Sequence, residues 1–204
     1  MRTLITSIAF VAALVMCGGS ALALDQALQG KKLLIKNNAD PTKNKTVILI
    51  KDTSVVSPAS QPTTGTICIV GASDSSTLDV SDDADPGEWT TIGGGFKYKK
   101  GGGVAGDPCK VVLIKGGKLV KAVCKGVDVD YDVNNGGPIN VALKAGGDRF
   151  CAAFGATGGC TDTKDGSDGK TYLSKNCALD GNCAAFAATP CSPSGAFLDV
   201  ASLF

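Results

Sequence analysis

Eight cysteines follow residue 23 of this chain, at positions 68, 109, 124, 151, 160, 177, 183 and 191, and no histidine accompanies them. An even cysteine set behind an export leader reads as a covalent framework tying distant parts of the chain together. The leader is Arg2, the apolar run from Leu4 to Met16, and Gly18-Gly19-Ser20-Ala21-Leu22-Ala23, so residues 1–23 are expected to be a signal peptide cut after Ala23. A lipid on Cys17 is the competing use of that leader, but Met16 is bulky where a lipoprotein signal wants a small residue. The expected location is secreted, periplasmic or cell-surface. No later apolar run approaches the ~20 residues of a membrane-spanning helix, so no transmembrane segment is expected in the mature chain.

Short aliphatic runs punctuated by turn residues set the fold class. Lys32–Lys36, Thr46–Lys51, Thr66–Val70, Ser76–Val80, Trp89–Ile92, Phe96–Lys99, Val111–Ile114, Leu119–Val123, Val127–Val133, Ile139–Leu143 and Arg149–Phe154 read as strands. So many short strands at close spacing predict an all-β fold, an antiparallel sandwich or barrel-like domain over residues 24–155. Past Gly155 the composition turns to Gly, Thr, Asp, Ala and Cys, which predicts a disulfide-rich, loop-rich extension over 156–204 packed on that domain. Ala184–Ala188 is its one helix-permissive stretch.

The sharpest local expectation is the hairpin around Gly116-Gly117. A two-residue primed turn there sets Cys109 opposite Cys124, in a hydrogen-bonded pair with Cα atoms ~5.5 Å apart, within disulfide reach. Cys151 stays open as a long-range alternative. Near the C-terminus, Cys151-Ala-Ala-Phe154 recurs as Cys183-Ala-Ala-Phe186, which predicts two similar stapled corners, each burying its phenylalanine; a duplicated recognition loop is the functional alternative.

Chemistry is narrowed mostly by what is missing. Without histidine there is no Ser-His or Cys-His nucleophile pair and no histidine-bearing zinc site. No Cys-x-x-Cys pair and no phosphate-binding glycine loop occurs. Carboxylates are the one catalytic route left open. Asp128, Asp130 and Asp132 alternate with Val127, Val129, Tyr131 and Val133, placing three acids on one strand face. The plain reading is a solvated face, with a Ca²⁺ site or a carboxylate-dependent hydrolase as the functional alternatives. Asp79, Asp82, Asp83, Asp85 and Glu88, and the turn Asp162–Gly169, read as Asp-favoured turns that do not follow the EF-hand ligand order.

Beyond residue 23, 18 lysines and Arg149 face 18 aspartates and Glu88, so global charge makes no case for nucleic acid. Locally the balance breaks: Lys97, Lys99, Lys100, Lys110, Lys115, Lys118, Lys121 and Lys125 meet only Asp107. Of these, Lys97, Lys99, Lys110, Lys115, Lys118 and Lys121 are the candidate contacts for an anionic polymer or surface polysaccharide. Phe96 and Tyr98 alternate with Lys97 and Lys99, the pattern of a stacking-plus-charge surface. Lysines on outward strand faces are the structural alternative.

Gly94, Phe96-Lys97-Tyr98-Lys99, Pro108-Cys109-Lys110, Gly117-Lys118-Leu119-Val120-Lys121, Val123-Cys124-Lys125-Gly126 and Arg149-Phe150-Cys151-Ala152-Ala153-Phe154-Gly155 together resemble a group of exported bacterial β-rich proteins with no established activity. Lys31-Lys32-Leu33-Leu34-Ile35-Lys36-Asn37 is similar to their opening. The likeness spans about residues 30–155 and implies bacterial export. The expectation is a non-catalytic binding or structural module without a resident cofactor, whose partner is an extracellular ligand or cell-surface component.

Overall fold

The computed structural model describes residues 24–71, 75–81, 89–99, 108–127, 129, 131, 138–155, 158–166, 169–178, 181–186 and 191. They form thirteen strands: β1 (Asp25–Leu28), β2 (Gly30–Lys36), β3 (Lys45–Ile50), β4 (Gly65–Val70), β5 (Ser75–Ser81), β6 (Trp89–Ile92), β7 (Gly95–Lys99), β8 (Cys109–Lys115), β9 (Leu119–Lys125), β10 (Ile139–Ala145), β11 (Asp148–Phe154), β12 (Asp162–Asp165) and β13 (Thr171–Lys175). They build two sheets, ordered β1-β11-β10-β4-β5 and β12-β13-β2-β3-β9-β8-β7-β6. Every pairing is antiparallel except β1 on β11. The chain is therefore all-β, as its punctuated aliphatic runs predict.

Period-two alternation drives the packing. On β3, Thr46, Ile48 and Ile50 are buried while Lys45, Val47 and Leu49 are only partly covered. Inward residues of both sheets meet in one core: Leu33, Ile35, Ile48, Ile50, Tyr98, Val112, Ile114 and Tyr172 from the large sheet, and Ile67, Ile69, Val141, Leu143, Phe150 and Phe154 from the small one. At about 25 cal/mol per Å² of apolar area removed from water, side chains of this size contribute roughly 1.5–3 kcal/mol each.

The five-stranded sheet is buried on its second face as well. There Cys68, Ala142 and Cys151 lie in one register row and pack with Phe186 and Cys191. Disulfides Cys68–Cys191 and Cys151–Cys183 staple the C-terminal segment over this face, with the small Ala142 between them. Arg149, on the same face, is 3% exposed. Its Nε donates to Asp25 Oδ1 at 2.6 Å, its Nη2 is ion-paired with Asp25 Oδ2, and its Nη1 donates to Cys191 O at 3.0 Å and Cys183 O at 3.4 Å. Gly181 lets the covering chain lie this close, because a Cβ there would sit 2.3 Å from the Cys151 backbone.

One expectation gains detail and two need correction. The segment after Gly155 is the expected disulfide-rich extension, and it also adds strands to the large sheet: β13 hydrogen-bonds β2 and carries β12 at the edge. The two Cys-Ala-Ala-Phe copies are not similar corners. The first is part of strand β11, the second is the 3₁₀ turn Cys183–Phe186, and the disulfide Cys151–Cys183 joins one copy to the other. Both phenylalanines are fully buried, but on opposite sides of the small sheet, since Phe154 belongs to the inter-sheet core and Phe186 to the outer cluster.

The hairpin is the third. Its strands pair Lys115 with Leu119, leaving a three-residue loop, and Lys118 N donates to Lys115 O at 3.1 Å. Gly117 has φ +66° and Gly116 does not enter the positive region, so the turn is not of the I′ kind. A bulge between Cys109 and Val111 then absorbs the one-residue offset and returns Cys109 opposite Cys124. They form a disulfide with Cα atoms 3.8 Å apart, closer than the ~5.5 Å of a regular hydrogen-bonded pair. The fourth disulfide, Cys160–Cys177, ties the start of β12 to the exit of β13. Four such bonds are the chemistry of an oxidising, extracellular environment. Among the described residues no helix is long and apolar enough to cross a membrane.

Candidate anion-binding face

The outer face of the eight-stranded sheet is where the cationic residues gather. Strand register gives three parallel rows across it. One runs Lys97, Leu113, Lys121, Leu49, Lys32, Lys175 and ends at Asp162 on the edge strand. The next runs Lys99, Val111, Val123, Val47, Leu34, Leu173, Lys164. The third runs Lys125, Lys45, Lys36, Thr171. Directly opposed residues lie roughly 5 Å apart and rows about 7 Å apart, so the face is a grid of ammonium groups around a central aliphatic band.

Among the described residues, no ion pair reaches Lys32, Lys36, Lys45, Lys97, Lys99, Lys121 or Lys175. The nearby Asp40, in the loop between β2 and β3, forms an ion pair with Lys43 at 3.1 Å. Its carboxyl is held below the usual range, first by the hydrogen bond from the Thr42 hydroxyl, then by Lys43, with the field of Lys125 a smaller contribution. Asp40 therefore stays charged at the rim of the third row, where the field of Lys125 reaches it.

The six lysines singled out from sequence divide by position. Lys97, Lys99, Lys115 and Lys121 belong to the outer-face periodicity of β7, β8 and β9. Lys110 sits on the bulge beside Cys109, and Lys118 sits at the hairpin tip. The sequence reading misses Lys32, Lys36, Lys45 and Lys175, which come from β2, β3 and β13. Their alternation with Leu34, Val47, Leu49 and Leu173 is visible within each strand, but nothing local says that these strands neighbour β9. The aromatic part of the expected surface is not there: Trp89, Phe96 and Tyr98 point into the core, with Trp89 and Tyr98 ring centroids 5.5 Å apart. In a strand, residues alternating with outward lysines face inward, so charge and stacking separate onto opposite faces.

Asp128, Asp130, Asp132, Asp82, Asp83, Asp85 and Glu88 are outside the described residues, as are Cys17 and the leader. Val129 and Tyr131 are buried, as their alternation predicts, yet they are not in a strand; Val129 N closes a turn onto Gly126 O at 3.2 Å. Among the described residues, no three His, Cys, Asp or Glu side chains come together as a metal site. Comparison of the chain with protein-family models, curated proteins and solved structures returns no match.

Proposed function

We propose that this protein is an exported, non-catalytic binding module that holds an anionic polymer, such as an acidic polysaccharide of the cell exterior, on the outer face of its eight-stranded sheet. One observation carries the reading: Lys36, Lys45 and Lys125 stand directly opposite one another on three adjacent strands. Like charges in opposed positions destabilise a sheet, so a row of three with no ion pair to a described residue costs stability in the free protein. A bound polyanion converts that cost into affinity. The aliphatic band of Val111, Val123, Val47, Leu34 and Leu173 supplies dry contact for ring C–H faces between the charged rows. The opposite sheet is covered by the chain's own C-terminal segment, which leaves the lysine grid as the broad charged face among the described residues.

Retention on immobilised heparin tests the reading. The protein is expected to bind at low ionic strength and elute with salt, and Lys36→Gln/Lys45→Gln/Lys125→Gln is expected to elute earlier, its salt slope lowered by about one unit per lysine removed. The charge-matched variant Lys43→Gln/Lys144→Gln/Lys170→Gln should elute close to the parent. Equal elution of the two triple variants, or no retention at low salt, rules the face out. Binding to anionic vesicles without retention by polymer would replace the polymer with a lipid surface.

A further inference from the structure

A cleft of about 640 Å³ opens at one end of the lysine face, where β2, β3, the β8–β9 turn and the exit of β13 meet. Its walls include Lys31, Lys51, Asp52, Lys118, Leu119 and Asn176. Two of these continue the outer face. Leu119 shares the period of Lys121, Val123 and Lys125 on β9, and Lys51 follows Lys45, Val47 and Leu49 on β3. A chain lying along these strands passes the three-lysine row, then Lys121, and reaches the cleft.

The cleft is built rather than incidental. Asp52 Oδ1 accepts from Ser54 N at 2.7 Å and its Oδ2 from Gln29 N at 3.1 Å. The Ser54 bond, chiefly, keeps its carboxyl below the usual range, so Asp52 is an ionised brace that holds two loops. Asp52 N donates to Lys118 O at 3.2 Å, tying the hairpin tip to the β3 exit. On the far side Asn176 adopts φ +51°, its N–H donates to Lys31 O at 3.0 Å, and its Oδ1 accepts from Lys31 Nζ. The next residue, Cys177, is anchored by the Cys160 disulfide and donates from N to Gly30 O at 2.9 Å. Three lysines, Lys31, Lys51 and Lys118, thus line a braced wall with a single carboxylate, whose oxygens already hold backbone N–H groups. The volume suits a molecule of one or two sugar rings.

We infer that this cleft binds a small carboxylate-, sulfate- or phosphate-bearing sugar, with Lys51 and Lys118 neutralising the acid, Asn176 and Gln29 meeting hydroxyls, and Leu119 contacting the ring. That the acidic sugar is the end of the bound polymer rests on the proposed function; the existence of the site does not.

Titration calorimetry with a heparin-derived disaccharide tests it, beside heparin retention on the same variants. The disaccharide is expected to bind saturably, with affinity lowered at least tenfold in Lys51→Gln/Lys118→Gln and changed less than twofold in Lys36→Gln/Lys45→Gln/Lys125→Gln. Inorganic phosphate at matched ionic strength is expected to compete at least tenfold less well. Absent or unsaturable disaccharide binding, an unaffected cleft variant, or phosphate competing equally overturns the sugar site. Absence of long-chain retention by the parent protein, with an intact disaccharide isotherm, instead overturns the polymer-binding face and leaves the cleft standing.

Discussion

Replacing Lys45 by glutamine should make the free protein more stable and its polyanion complex weaker. Lys45 is flanked by Lys36 and Lys125 in directly opposed positions, with no ion pair to it from any described residue. Two ammonium groups ~6 Å apart in water repel by about 0.7 kcal/mol, so two such pairs cost about 1.4 kcal/mol before screening. That agrees with the ~0.2–1 kcal/mol found for a cross-strand charge pair. At a Debye length of ~30 Å in 10 mM salt nearly all of it survives, and at ~3 Å in 1 M salt almost none does. For a domain of this size 1 kcal/mol moves Tm by roughly 2–4 °C. Calorimetry should therefore find Lys45→Gln about 3–5 °C more stable than the parent in 10 mM salt, with the gap closing in 1 M salt. Lys45→Arg keeps the charge and should show no gain. A Lys45→Gln protein equal to or less stable than the parent at low salt would refute the idea that this row stores repulsion, and with it the main support for an anionic partner.

Tyr172 offers an alkaline test. Its hydroxyl is buried without a hydrogen-bond partner of good geometry, and burial pushes its pKa up to about 12, the Ser174 hydroxyl nearby acting weakly the other way. Between the unfolded value near 10 and about 12 the native state holds the extra proton, so stability is intact below pH 10 and falls through that window, by up to roughly 2–3 kcal/mol. Urea midpoints should show Tyr172→Phe losing less than the parent from pH 10 to 12; identical slopes would exclude the tyrosine as the cause. The disulfides should rank by loop length: opening Cys68–Cys191, 123 residues apart, should cost about 5 kcal/mol, and opening Cys109–Cys124, 15 apart, about 3 kcal/mol, with denaturant melts of the paired alanine variants as the check. Leu24 N lies 2.9 Å from Asp148 Oδ1, so processing after Ala23 would set a new ammonium beside that carboxylate. Asp148→Asn should then lower the Tm of the processed protein by ~1–3 °C at low salt and leave it unchanged at high salt. An equal loss at both ionic strengths would mean that no ion pair forms there.

Every strand from β2 to β11 can be read from sequence, most plainly where its alternation is aliphatic. β2, β3, β8 and β9 show it, and their observed limits differ from the expected ones by a residue or two. β13 hides because its inward pair is Tyr172 and Ser174, and a buried serine looks like a loop residue. In the fold Ser174 is fully buried because its Oγ accepts from Gly155 N at 3.0 Å, a satisfaction that depends on a residue nineteen positions away. β1 hides for another reason: its four residues pair in parallel with β11, a long-range contact that leaves no turn signal. The Cys109–Cys124 juxtaposition illustrates a compensated error. The two-glycine turn has a different loop length from the one expected, and the bulge at Lys110 restores the alignment that the simple count implies.

The candidate site was harder to see because a sheet face is a property of neighbours. The six candidate lysines from Lys97 to Lys121 announce a charge bias but not a surface, for Lys110 and Lys118 leave the grid while Lys32, Lys36, Lys45 and Lys175 enter it from strands far away in sequence. Only after β13-β2-β3-β9 is known as the strand order do Lys36, Lys45 and Lys125 become consecutive. That order also separates the two sheets by use. The small sheet hides its second face under a segment held by two disulfides and a buried arginine, which commits that face to stability. The large sheet places on its second face opposed lysines that stability alone would select against, and the proposed polyanion is a partner whose charge would turn that arrangement from a burden into a grip.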